Sequence, residues 1–417
     1  MTNRRIIYLY YSGYLLCEFR DTERSLQNTV SLQNAKEFLL LQIEMNLHYI
    51  GKIDKILFSA VLLLVIVGLI TIFSVSYSGE GADFLNFKKQ VLFALVGFAG
   101  MFFAASVDYR MLKNYSGALY AFTLLSLVAV LFLGSLTRGT TGWFDLGYFS
   151  IQPAEFAKIV MIIVLAKSLS EMGNYSRIMK KILVSGFYIS LPVGLILLQP
   201  DLGSSLVIMF IWFCLLCVFG LKKKQIVLFA LVGILTSAAG WLFLLKDYQK
   251  NRILTFIDPQ MDPLGSGYNV IQSMVAIGSG SFWGKGLGHG SQSQLNFLPE
   301  KHTDFIFAVI AEEMGFIGGA LVLVLFAIIF YRLFVIAEEA QDNFGKLLVL
   351  GTVFLLIFHM LINIGMNMGI MPVTGIPLPF VSYGGSSLIA FLLMIGVVQS
   401  VYVNGRRYRF KGEGEEL

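Results

Sequence analysis

The chain has 417 residues, 56% of them hydrophobic and 14% charged, with a mean hydropathy of +0.74. Soluble domains carry roughly 25% charged residues, so this composition excludes a water-soluble globular protein and predicts an all-α polytopic membrane protein. The net charge of +5 does not indicate nucleic acid, because Lys and Arg fall in short loops between apolar runs, where they set orientation. Three cysteines exclude a disulfide framework, and Cys214 and Cys217 lie within an apolar run as two small side chains on one helix face. Four histidines without an H-E-x-x-H pattern leave zinc hydrolysis without support.

Residues 1–50 form a polar extension, expected to be poorly ordered, that lacks the apolar core and cleavage site of a signal peptide. Met45, which leads directly into the first apolar run, is an alternative start. A membrane domain follows over 51–405, then a cytoplasmic tail over 406–417. Apolar runs of membrane-crossing length fall near 55–77, 87–107, 115–134, 153–170, 182–198, 203–220, 224–245, 304–334, 346–371 and 382–403, which predicts about ten transmembrane helices. The eighth is long enough to tilt or to extend beyond the bilayer.

Lys52, Lys55, Arg110, Lys113, Arg177, Lys180, Lys181, Lys222 to Lys224, Arg332, Lys346, Arg406, Arg407 and Arg409 all fall on one side of these runs. The positive-inside rule then makes both termini cytoplasmic and the loop 246–303, between helices 7 and 8, extracytoplasmic. Lys88 and Lys89 run against this count without reversing it. Asp304 is thereby expected at the external face. No nucleotide pool exists there, so an enzyme at that face needs a donor already activated, and in a membrane the natural one is a lipid-linked phosphate or diphosphate. The segment Gly278–Gly286 lacks phosphate-loop spacing, follows no strand and reads as a flexible loop.

Several external segments share one design. Gln152-Pro153-Ala154-Glu155 opens the fourth run, Gln199-Pro200-Asp201 the sixth, and Pro377-Leu378-Pro379 leads through Ser382-Tyr383-Gly384-Gly385-Ser386 into the tenth. Each aims a helix N-terminus at the same layer, where anions are the expected ligands, although plain turn chemistry also suits the Gln-Pro pairs. Ionisable side chains within spans are costly and functional by default. Glu155 and Lys158, three apart, can pair on one face. Glu312 and Glu313 follow Asp304 by about 12–13 Å along a helix, rotated by about 80° and 180°, so at most one of them can share its cavity. Asp304 itself reads either as an N-cap or as a reactive acid. The external cations Arg138, Lys158, Arg252, Lys301 and His302 are candidates to hold a diphosphate, alone or with a divalent cation such as Mg2+ or Mn2+.

Leu298-Pro299-Glu300-Lys301-His302-Thr303-Asp304-Phe305-Ile306-Phe307-Ala308, followed by Ala311-Glu312-Glu313-Met314-Gly315, closely resembles the signature of the SEDS (shape, elongation, division, sporulation) family. The Gln-Pro-Ala-Glu-Phe-Ala-Lys segment ending at Lys158, Gln199–Gly203 and Ser382–Ser387 resemble its other hallmarks, in the right order from about Leu47 to the end. Gly288–Gln294 and Gly375–Pro379 resemble the rod-shape branch (RodA) more than the division branch (FtsW). The resemblance implies a ten-helix peptidoglycan glycosyltransferase that polymerises lipid II at the outer face of the bacterial cytoplasmic membrane, uses no nucleotide, and works with a class B penicillin-binding protein and the elongation machinery. It also implies that Asp304 is catalytic and that Glu155, Lys158 and Trp143 are functional. Asp201, Ser382 and Gly384 join them as candidate substrate-binding residues. Two departures stand out: Gly142 where many members have a basic residue, and Ala154 where Ser is usual. A lipid II flippase is the competing expectation, since polar residues in broken spans suit transport as well.

Overall fold

The computed structural model describes residues 52–77, 84–137, 140–147, 149–172, 178–261, 267–295 and 297–412. The polar extension 1–50, the alternative start at Met45 and the candidate Arg138 lie outside the described residues. Among the described residues, ten long helices stand at the ten apolar runs: α1 (Lys55–Ser76), α2 (Leu85–Ser106), α3 (Tyr109–Leu133), α4 (Pro153–Glu171), α5 (Ile178–Leu198), α6 (Leu202–Val218), α7 (Lys223–Ala239), α11 (Ile306–Glu339), α12 (Asn343–Asn367) and α13 (Gly385–Gly412). Eight of them are long and apolar enough to cross a membrane. The other two are α4, which carries four charged residues, and α6, which has 17 residues.

Several helices begin where an aspartate accepts a first-turn N–H. Asp54 caps α1, Asp108 caps α3, Asp201 caps α6 and Asp342 caps α12, each satisfying a donor that a helix start leaves open. Interfaces between helices use small residues. Along α2, a side chain at Gly97 would meet Leu392 of α13, and one at Gly396 of α13 would meet the backbone of Met101. Helices α4, α12 and α13 are the most enclosed, whereas α7 has no buried residue.

Two connecting segments are more than loops, and the second corrects the expectation of a flexible Gly278–Gly286. First, the connection between α3 and α4 is structured. It is a three-stranded antiparallel sheet of β1 (Ser135–Thr137), β2 (Thr140–Asp145) and β3 (Ser150–Ile151), because Thr, Trp and Phe suit an extended ribbon and Gly147, at φ +83°, turns β2 into β3. Second, the segment after α7 contains α8 (Asp247–Ile257), α9 (Tyr268–Ser279) and α10 (Ser291–Gln294), and its glycine-rich part is a packed element.

That element repairs a break in α11. Gly315 has φ 65° and ψ −160°, so the eighth span is two helical pieces joined at a kink. A broken helix within a membrane must find new partners for its freed backbone groups. Here Lys285 N–H donates to Glu312 O at 3.0 Å and Gly286 N–H to Glu313 O at 2.9 Å, while Phe316 N–H donates to Ser281 O at 2.9 Å. The two backbones approach so closely that a Cβ on Gly284 would lie 2.2 Å from Glu313 O, and one on Gly315 would lie 2.3 Å from Gly284 N. Only glycine fits there, and both positions also have positive φ.

Candidate active site

Asp304 is not a helix cap. The α11 helix starts at Ile306, with Phe305 at the cap position and no side-chain cap bond. Asp304 stands one residue further out, half-buried, with its backbone fixed from α12. Asn363 and Asn367, one turn apart and fully buried, both donate to Asp304 O through Nδ2, at 3.1 and 2.9 Å. Asn367 Oδ1 also accepts from Ala308 N–H at 3.1 Å. From the other side, Ser382 Oγ donates to Thr303 O at 2.7 Å and accepts from Leu378 N–H at 2.8 Å. The carboxylate is thus mounted on a backbone held from α12 and from the segment that leads into α13, an arrangement that fixes its position.

The carboxylate lies on the wall between two cavities of about 230 and 240 Å³. Asp304, Trp143, Gln152, Asp201, Thr374 and Gly375 line both. The sheet carries Trp143 over this wall, and the Gln-Pro segments meet beneath it. Gln152 Nε2 donates to Asp201 Oδ2 at 3.2 Å, and Gln152 N–H donates to Ser386 Oγ at 3.0 Å. Three motifs far apart in sequence therefore form one surface.

The first cavity extends to Glu155 and Lys158. Lys158 Nζ lies 2.7 Å from Glu155 Oε1, with both side chains buried. On its other side is a group that reading for motifs missed: His359 Nε2, at 3.3 Å. His359 Nδ1 is 3.2 Å from Pro377 O. A carbonyl oxygen can only accept, so Nδ1 carries the proton and Nε2 accepts from the ammonium. Glu155 Oε2 is buried and has no hydrogen-bond partner among the described residues. It is an acceptor left open beside the cavity.

The remaining candidates separate. Gly384 lines the first cavity, with its N–H donating to Gln90 Oε1 at 3.2 Å. Ser382 does not line it and holds the Thr303 carbonyl instead. Lys301 and His302 line neither cavity. Lys301 is buried and donates to Ser293 O at 2.6 Å, and burial pushes its ammonium below the usual lysine value, against the pull of Glu313. The cations that do line the cavities are Lys89 and Lys158 in the first and Arg252 in the second. Lys89 entered the sequence reading only as an exception to the charge count; a cation on the wrong side was the signal. Gly142 is buried, and a side chain there would come within 3.1 Å of Gln199 Oε1, so a basic residue at this position would displace Gln199.

Glu312 and Glu313 line neither cavity. Glu312 accepts from Gln292 N–H at 2.8 Å, Ser293 N–H at 3.0 Å and Lys285 Nζ at 3.1 Å. Glu313 accepts from Ser74 Oγ at 2.8 Å and Gln294 Nε2 at 3.1 Å. Together they clamp the Gly288–Gln294 segment onto the kink. Among the described residues no three His, Cys, Asp or Glu side chains converge as a metal-binding set.

A bundle of apolar helices with an aspartate held between two cavities defines a polytopic membrane protein. Residues 54–407 match the family profile of the FtsW, RodA and SpoVE proteins, described as cell cycle protein, and the chain belongs to that family, the SEDS proteins. It is 37% identical over 352 residues to peptidoglycan glycosyltransferase MrdB of Escherichia coli, covering 84% of this chain and 95% of the relative. Stage V sporulation protein E of Bacillus subtilis is 40% identical over 356 residues, covering 84% and 96%. Among solved structures, a chain from a peptidoglycan synthase complex, described as coordinating polymerization and crosslinking, superposes with a TM-score of 0.71 at 33% identity, covering 85% of this chain and 98% of that one.

Proposed function

We propose that this chain is a peptidoglycan glycosyltransferase that elongates glycan strands from lipid II at the outer face of the bacterial cytoplasmic membrane, in wall elongation and rod-shape maintenance. The relative named for this activity supports it, and the observation that carries the site is Asp304, clamped through its backbone on the wall shared by two cavities. Two lipid-linked sugars need two cavities, and the reacting atoms must meet where those cavities meet.

In this reading the growing chain occupies the first cavity and the acceptor lipid II the second. The acceptor's sugar hydroxyl gives its proton to the Asp304 carboxylate while its oxygen bonds to the anomeric carbon of the growing chain. The bond from that carbon to the diphosphate oxygen breaks, and undecaprenyl diphosphate leaves with the electron pair. The N-termini of α4 and α6 already face carboxylates of their own, Glu155 and Asp201. The start of α13, at Gly384 to Ser387 beside Lys89, has no such anion and is the diphosphate cradle. A divalent ion arriving on the diphosphate needs only one or two protein carboxylates, and Asp201 borders both cavities. The solved complex supports a crosslinking partner, a class B penicillin-binding protein, for this chain.

Asp304→Asn keeps the shape and removes the base. Purified D304N is expected to polymerise labelled lipid II in detergent about 10²–10⁴ times more slowly. A wild-type rate would overturn the assignment, and the absence of any polymer from the wild-type protein, with lipid II crossing vesicles instead, would favour transport.

A further inference from the structure

At the other end of α4 lies a cavity that the reaction does not use. It measures about 380 Å³ and is walled by the third and fourth turns of α3, the last turns of α4 and the first turns of α5. Lys167 lies nine residues beyond Lys158 on the same helix, about 14 Å further along, so the two sites are separate.

The charges in this cavity are unbalanced. Lys167 and Lys180 line it, and neither has an ion pair among the described residues. Its one carboxylate, Glu171, is engaged from α3 by Lys113 at 3.6 Å. The lining thus sets two cations against one carboxylate that is already paired from α3. Ser168 Oγ, which also lines it, is buried and has no hydrogen-bond partner among the described residues, a donor waiting for an acceptor. Further along the helices Tyr120 and Tyr188 pack edge to face at 5.7 Å, with Tyr120 OH donating to Tyr188 O at 2.8 Å. The cations lie near helix ends, where lipid headgroups are expected, and the tyrosine pair about two turns away along α5, where a lipid's glycerol and first acyl carbons would lie.

We propose that this cavity binds the phosphate headgroup of an anionic phospholipid, held by Lys167, Lys180 and the Ser168 hydroxyl. Basic pockets between membrane helices suit such headgroups. The lipid belongs to the leaflet on the side where the loop cations collect, which is the cytoplasmic leaflet in the orientation given under Proposed function; the binding chemistry itself does not depend on that orientation or on polymerase activity.

Gly117 allows a clean test. A Cβ built there meets nothing within 4 Å and the residue lines the cavity, so Gly117→Phe brings a ring to the site from an open position, and thermal unfolding without lipid checks that the fold is kept. The purified full chain is delipidated in neutral detergent and titrated with phosphatidylglycerol, phosphatidylcholine or inorganic phosphate, and bound lipid is read by native mass spectrometry. The wild type is expected to retain one phosphatidylglycerol in preference to phosphatidylcholine. Lys167→Ala with Lys180→Ala weakens this retention about 25-fold, at about fivefold per lysine near an anionic surface, and Gly117→Phe abolishes it, both with unaltered thermal unfolding in the absence of lipid. Equal retention of the two lipids, or undiminished phosphatidylglycerol on the Gly117→Phe variant, overturns the proposal. Displacement of phosphatidylglycerol by millimolar inorganic phosphate would assign the site to free phosphate and likewise refute a lipid site.

Discussion

Asn367→Leu tests whether Asp304 works because its backbone is held. The replacement keeps the side-chain volume, so no cavity opens, but it deletes the bonds from Nδ2 to Asp304 O (2.9 Å) and Asn363 O (2.8 Å) and from Ala308 N–H to Oδ1 (3.1 Å). Asp304 O keeps Asn363 as a donor, and Ala308 N–H keeps Phe305 O at 3.1 Å, so neither is left without a partner. At about 0.5–1.5 kcal/mol for each bond, the loss of stability is roughly 2–4 kcal/mol, survivable for a protein of this size. The catalytic loss should be larger than stability explains, since a shift of about 1 Å in a positioned group can cost about 100-fold in rate. Polymerisation of labelled lipid II at saturating substrate, alongside thermal unfolding in the same detergent, separates the two effects. A kcat within twofold of wild type, in a protein that unfolds earlier, would refute the positioning argument and leave Asn367 a purely structural residue.

Glu155→Gln leaves the Lys158 ammonium buried without its counter-charge, with only neutral acceptors beside it; thermal unfolding should show a loss of about 3–5 kcal/mol, the usual cost of removing one partner of a buried pair. Lys301 gives a pH dependence. Burial lowers its folded-state value below the ordinary 10.5, so between that lowered value and 10.5 the unfolded chain binds more protons and stability rises with pH. Lys301→Met should flatten that rise in unfolding measurements across the alkaline range, and an unchanged pH profile would contradict it.

The family motifs were legible because each is local: the run at Asp304, the Gln-Pro pairs and the Ser-Tyr-Gly-Gly segment are contiguous strings. What each residue does was not. Ser382 and Lys301 belong to the strings yet hold the backbone of Thr303 and Ser293 rather than facing a cavity. Lys89, Gln90, His359, Asn363 and Asn367 lie outside the strings and form much of the site. The available signal was polarity within an apolar span, which is expensive unless used, and it extends to Asn, Gln and His as well as to Asp, Glu and Lys.

Hydrophobic run length by itself determined that this is a polytopic membrane protein and placed the ten long helices found among the described residues, because crossing a bilayer is a property of about twenty consecutive residues. Tertiary structure alone decided the rest. It set Asp304 between two cavities where four other aspartates are caps, and it turned a glycine-rich stretch into the partner of a broken helix. It also turned Glu312 and Glu313 away from the reaction to clamp that stretch. The physical reason is the same in each case: where a buried polar group finds its partner depends on chain segments tens to hundreds of residues away, and no local pattern encodes that meeting.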